Sequence, residues 1–175
     1  MIYTWRLLAY IMNRRGYLTG GVSVATLALA GCTGLGSKVY EVDASEHILS
    51  HRDIARVLSE NFAADSISLD EEEGVDTGEL YDVWEGSLSL YGLVICESIE
   101  DGESWYQRIK SDAEEIGVGN EDISLGDEAI YNASQGFRLV AVRLSNVVIQ
   151  INGRSDFSEM EDLSELQIER IKESS

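Results

Sequence analysis

Two apolar runs late in the chain, Phe137–Leu144 and residues 147–152, are separated by only Ser145 and Asn146. A connection that short joins two strands only as an antiparallel hairpin, because a parallel return needs a crossover of a dozen or more residues. Asparagine tolerates the positive φ that a two-residue turn demands, so the turn chemistry agrees with the spacing. A third run, residues 129–134, precedes the pair across Gln135-Gly136, and residues 80–98 supply the other β territory. Strands joined by short turns predict an α+β fold: a mainly antiparallel sheet with helices on one side.

The helices are marked by their caps. Asp43 with Glu46 three residues on reads as a capping box opening a first helix. Ile48, Ala55, Leu58 and Phe62 then share one face, with Ile54 at its edge. Asp101 caps a second helix that buries Trp105, Ile109, Ala113 and Ile116 and stops at Gly117. Ser158 and Glu161 open a third, carrying Leu163, Leu166 and Ile171. Between the first two, residues 66–69 predict a short strand running into an acidic loop over 70–79. Val83, Glu85, Ser87 and Ser89 then alternate against Trp84, Leu88 and Leu90, before a turn or bulge at Gly92. The predicted order is α-β-β-α-β-β-β-α, with about three helices on the sheet, in a single domain over residues 43–175.

The first 31 residues follow a different logic. They contain no acidic residue, carry Arg14-Arg15 ahead of a weakly apolar stretch, and close on Leu29-Ala30-Gly31-Cys32. An export signal needs a positive end, an apolar middle of roughly 7–15 residues and a small-residue cleavage site. Thr19, Gly20, Gly21, Ser23 and Thr26 dilute the middle, and a membrane-spanning helix would want about 20 strongly apolar residues. Asn13-Arg14-Arg15-Gly16-Tyr17-Leu18 resembles the twin-arginine consensus, which directs export of folded cargo. Cys32 is then the expected acceptor of a thioether-linked lipid and the first mature residue, and a pair of acyl chains suffices as an anchor. Residues 32–42 form a lipidated tether, glycine-bearing from Thr33 to Ser37. Two alternatives stand beside this reading: an uncut anchor helix using the apolar residues 2–12, and translation starting at Met12 rather than Met1.

The chain holds 13 basic and 32 acidic residues, a net charge of −19, and without Arg6, Arg14 and Arg15 the charge is −22. A surface of that sign excludes nucleic acid and anionic membranes as partners of a broad basic face. Lysine is confined to Lys38, Lys110 and Lys172. Through residues 1–32 and this composition, the chain resembles haloarchaeal twin-arginine lipoproteins. That resemblance implies a lipid-anchored protein on the extracytoplasmic face of the cell membrane, and it carries over no catalytic residue. The succession of elements also loosely resembles small extracellular sensor and lipoprotein domains of bacterial envelopes.

Residues able to carry chemistry are few. His47 and His51, four apart, have the spacing with which one helical face grips a transition metal; equally, they pack at a helix–sheet boundary. The acidic loop over 70–79 fails the EF-hand template, since neither Gly74 nor Gly78 leaves the ligand spacing intact. With Cys32 lipidated, Cys96 has no disulfide partner and reads as a buried thiol in an apolar strand. Asn132-Ala133-Ser134 is an N-glycosylation sequon, placed by the pattern at an exposed strand end. Tyr81, Trp84, Tyr91, Trp105 and Tyr106 read as aromatic core, with an open aromatic groove as the alternative. No glycine pattern completes a nucleotide fingerprint, no serine sits in a nucleophile elbow, and no cofactor is implied. The expectation is a non-enzymatic module binding an envelope protein or a small ligand. A metal- or cation-binding accessory lipoprotein is the alternative, ahead of an unrecognised hydrolase.

Overall fold

The computed structural model describes residues 38–116, 119–134 and 136–174, within one unit, Ser37–Ser175. Arg14, Arg15, Cys32 and Gly117 lie outside the described residues. The elements are α1 (Ala44–His47), α2 (His51–Leu58), β1 (Ala63–Ser68), β2 (Val75–Glu85), β3 (Leu88–Cys96), α3 (Ile99–Ile116), β4 (Glu121–Asp122), β5 (Glu128–Ser134), β6 (Phe137–Leu144), β7 (Val147–Gly153) and α4 (Phe157–Glu173). The strands form one sheet in the order β1-β2-β3-β7-β6-β5-β4, with every neighbouring pair antiparallel. The α+β class with an antiparallel sheet therefore holds, while the element order differs from the expected one.

The hairpin that anchored the sequence reading is present: β6 and β7 pair from Arg138↔Gly153 to Leu144↔Val147. The positive φ falls on Ser145 (58°) rather than on Asn146, whose side chain is used for something else. β7 then pairs with β3, matching Tyr91↔Ile151, Leu93↔Ile149 and Ile95↔Val147.

Helices cover both faces of the sheet, not one. Tyr91, Leu93, Ile95, Val140, Val142, Ile149 and Ile151 share a core with Ile54, Leu58, Met160, Leu163 and Ile171 of α2 and α4. Val94, Cys96, Ile130, Leu139, Ala141 and Val148 share a second core with Tyr106, Ile109 and Ala113 of α3. Strands covered twice carry unbroken apolar runs. Such runs are visible in Leu93-Val94-Ile95 and Leu139-Val140-Ala141-Val142, where strict alternation is missing.

The predicted first helix is two helices. Ser50 restarts the chain, its Oγ accepting the Asp53 N–H at 3.3 Å, and Ile48 (ψ 144°) is already extended. The polar groups freed at the break are taken up by α4. Gln167 Nε2 donates to the His47 carbonyl at 2.9 Å, Gln167 Oε1 accepts from Leu49 N–H at 3.0 Å, and Arg170 Nη1 donates to the Ile48 carbonyl at 3.2 Å. A tertiary contact from more than a hundred residues away thus overrides the local helical pattern.

Four boundaries also move. β2 begins at Val75, because a bulge between Val75 and Thr77 breaks its period-two pattern and makes it read as loop. The turn into β3 is at Gly86 (φ 131°), while Gly92 sits mid-strand against Leu80. α3 opens at Ile99, with Ser98 Oγ accepting the Asp101 N–H at 3.1 Å, so Ser98 rather than Asp101 is the cap. α4 opens two residues early: Glu159 reaches back to the Asp156 N–H at 3.0 Å, in place of the Ser158–Glu161 box.

Candidate functional site

The two ends of β3 are built differently. At the stem end, residues 38–42 enter the fold instead of hanging as a tether, with Tyr40 and Val42 buried in the first core. Asn146 holds them there. Its Oδ1 accepts the Tyr40 N–H at 2.8 Å, while its Nδ2 donates to the Tyr40 carbonyl at 3.0 Å and to the Cys96 carbonyl at 2.9 Å. One side chain thereby pairs with the stem backbone as a neighbouring strand would. α3 fits closely against the same turn only because Gly102 lacks a Cβ, which would lie 2.9 Å from Asn146 Cα and the Ser145 carbonyl oxygen.

Beside this clamp is an open depression of about 500 Å³, lined by Val39, Glu41, Asp76, Glu97 and Cys96 among others. Cys96 contributes no reactivity to it. Burial first, and the Asp101 carboxylate second, push its thiol up to about 12, so the nucleophilic thiolate is not formed near neutrality.

The two histidines are not brought together as one gripping pair. Because Ser50 separates α1 from α2, the i,i+4 relation assumed for His47 and His51 does not exist. His47 Nδ1 lies 2.8 Å from the Asp43 carbonyl. The His51 ring stands edge-on to Tyr81 and Phe62, with centroids 4.8 and 5.3 Å away. Among the described residues no group of three or more His, Cys, Asp or Glu side chains is placed to hold a metal ion. Half of the predicted acidic loop is strand β2, and Asp70 Oδ1 closes the remainder by accepting the Gly78 N–H at 2.9 Å.

Asn132 is also not where the sequence pattern placed it. It lies inside β5, 3% exposed, its Nδ2 shared among the Ala113 and Gly119 carbonyls and Asn120 Oδ1 at 2.9–3.3 Å. The amide ties the C-terminal end of α3 to the sheet. A glycan acceptor must be reachable, and in the folded domain this nitrogen is not.

Beneath the α1–α2 break lies a polar network. Tyr91, kept protonated because burial pushes its phenol well up, donates to Gln167 Oε1 at 2.9 Å. Asp53 accepts from Arg170 Nη2 at 2.9 Å and from Ser50 Oγ at 2.8 Å. These bonds, that from Arg170 foremost, hold its carboxyl below the usual value. The stabilisation is therefore fully present above the unfolded value of about 3.9 and is lost as pH falls through the lower folded value. Asp53→Asn is expected to lower the thermal midpoint at pH 7, with the gap to the unsubstituted protein closing as the pH falls below about 4. A gap independent of pH would assign the effect to packing.

The aromatic residues grouped in the sequence are split by the sheet. Tyr81 and Tyr91 belong to the first core, Tyr106 lies in the second with Trp105 packed against it, and Trp84 belongs to neither. Trp84 is 67% exposed at the hairpin end of β3. It is the extra residue of a bulge, since Val83 pairs with Ala64 while Glu85 pairs with Ala63. The turn behind it is fixed, with Glu60 Oε1 accepting the Ser87 N–H at 2.6 Å and the Arg154 N–H donating to the Ser87 carbonyl at 2.7 Å.

The roles of Asn146, Gln167 and Trp84 were missed by sequence reading. Asn146 has the composition of any turn residue. Gln167 carried a signal, a polar residue in line with Leu163 and Ile171. Trp84 carried one too: it shares its strand face with Asp82 and stands two residues before the turn glycine.

No protein-family model matches the chain, and no curated protein matches it. Among solved structures, the crystal structure of a GTP-binding regulator from Thermotoga maritima aligns with a TM-score of 0.42 and 15% sequence identity, over 71% of this chain and 89% of that chain. A likeness of that degree assigns neither ligand nor activity.

Proposed function

We propose that this chain is an exported lipoprotein whose domain is displayed on the extracytoplasmic face of the cell membrane as a non-enzymatic module that binds a partner. In this reading Arg14-Arg15 directs export and a lipid on Cys32 is the anchor. The observation that carries it is the Asn146 clamp on Tyr40. It fixes the chain to the domain eight residues after Cys32, a span of at most about 29 Å when fully extended. β3, nine residues long, sets the hairpin end about 30 Å from the stem end, where the chain coming from Cys32 enters the domain. Among the described residues no helix is long and apolar enough to cross a membrane.

Fractionation of cells expressing three forms tests this. The unsubstituted protein is expected in the membrane fraction, with a lipid-sized mass increment on the peptide beginning at Cys32. Cys32→Ser is expected to release the domain from the membrane, and the paired Arg14→Lys/Arg15→Lys change to leave uncleaved precursor inside the cell. A Cys32→Ser form that stays in the membrane with its first 31 residues attached would establish the uncut anchor helix instead.

A further inference from the structure

We propose that the exposed sheet face around Trp84 docks an extended, arginine- or lysine-bearing segment of a partner protein. The inference rests on the display reading above and names the chemistry of the partner. α3 packs on β3, β5, β6 and β7. On the same side of the sheet, β1 and β2 present Asp65 opposite Asp82 and Ile67 opposite Leu80, followed by Trp84. Leu80 is buried and Ile67 half-buried, giving the face an apolar floor, while Trp84 stands out from it.

Its charges are uncompensated. Asp65 and Asp82 are directly opposed across the β1–β2 ladder, an arrangement that like charges disfavour. No ion pair among the described residues reaches either of them or Glu85. Adjacent to them, β1 is the terminal strand of the sheet, six residues long with neither lysine nor proline. Such an edge is a template for an added strand.

The occupants of such a surface are separable by charge and position. A second copy of this chain would bring another Asp65 to the same edge and a net charge of −19 to a like charge. On the display reading the lipid joins the chain ahead of the stem, which enters the domain at the other end of β3. A cationic extended segment answers each feature instead: a free strand edge, two unpaired carboxylates, and an indole face, the best aromatic partner for a guanidinium or ammonium group. Such contacts also persist in concentrated salt, where the Debye length falls to about 3 Å and only charges in contact still attract.

The test uses the lipidated protein in detergent, with a fluorescent octa-arginine peptide as probe and octa-glutamate as the control, at low and at molar KCl. Saturable octa-arginine binding is expected, weakened about tenfold by Trp84→Ala, as for a partly desolvated cation–π contact. Asp65→Asn/Asp82→Asn is expected to weaken it similarly. Glu71→Gln/Glu73→Gln, which removes the same charge from the β1–β2 loop, is expected to leave it within about twofold. Equal losses in the two double variants would show diffuse charge attraction and overturn the proposal, as would absence of binding. A wild-type dimer abolished by Trp84→Ala would overturn it in favour of a second copy. Membrane fractionation of the same variants keeps the two readings apart: a protein that binds the peptide through Trp84 yet lacks lipid refutes the display reading alone.

Discussion

Asn146→Ala is expected to destabilise the domain by about 3 kcal/mol, and to do so through the stem. The substitution leaves the Tyr40 N–H and the Tyr40 and Cys96 carbonyls without their side-chain partner in a buried site. An unsatisfied buried polar group costs roughly 1–3 kcal/mol, and water entering from the neighbouring depression recovers part of that. For a domain of this size, about 3 kcal/mol corresponds to a fall of roughly 10 °C in the thermal midpoint. Once the clamp is gone, the peptide bond after Lys38 should be cut by trypsin much faster than in the unsubstituted protein, well below the unfolding temperature. Asn146→Asp separates geometry from hydrogen bonding. It keeps the acceptor for Tyr40 N–H but aims a carboxylate at two carbonyl oxygens, so at pH 7 it should be less stable than the alanine variant. A midpoint within about 3 °C of the unsubstituted protein in Asn146→Ala would show that the stem is held by Tyr40 and Val42 packing alone.

Gln167→Leu is expected to cost about as much, for a reason confined to the break between α1 and α2. Leucine nearly conserves the volume, so the change isolates the hydrogen bonds. Gln167 is fully buried in α4 and serves Leu49 N–H, the Tyr91 hydroxyl and the His47 carbonyl at once. Losing it strands two donors and an acceptor at the break between α1 and α2, for about 2–4 kcal/mol. Tyr91→Phe alone should cost only about 1 kcal/mol, because Leu49 still occupies Gln167 Oε1. In the Gln167→Leu background, however, Tyr91→Phe removes an orphaned hydroxyl and should restore stability. A cycle measured by chemical denaturation is therefore expected to show a coupling of 1 kcal/mol or more. Simple additivity would show that Tyr91 and Gln167 do not share the network.

The elements legible in the sequence were those whose own residues specify them. The β6–β7 hairpin was read to within a residue because the turn and both flanking runs are contiguous. The buried faces of α3 and α4 followed from helical spacing alone, Ile109 and Ala113 on one, Leu163 and Ile171 on the other. What was not legible depended on distant partners. The break after His47 is stable because Gln167 and Arg170 satisfy it, and no window around Ser50 contains them. The first half of β2 was hidden by a bulge that shifts its phase. One-sided helical cover was expected, although Leu93-Val94-Ile95 already lacked the polar alternation of a strand with a wet face. The site was less legible still. Trp84 and Asn146 are single residues whose roles come from pairing register and turn geometry, and the apparent four-residue pairing of His47 with His51 dissolved once the helix carrying it was cut in two.

The join between β3 and β7 has a consequence for the timing of folding. Tyr91 meets Ile151 across sixty residues of intervening chain, and the gap between α1 and α2 is closed by side chains of α4. During synthesis at about 5–20 residues per second, β1 to β3 therefore emerge seconds before the strand and helix that cover them. Until then their apolar faces and open edges remain exposed. Folding is completed from the C-terminal side backwards, so the domain closes only when α4 has left the ribosome.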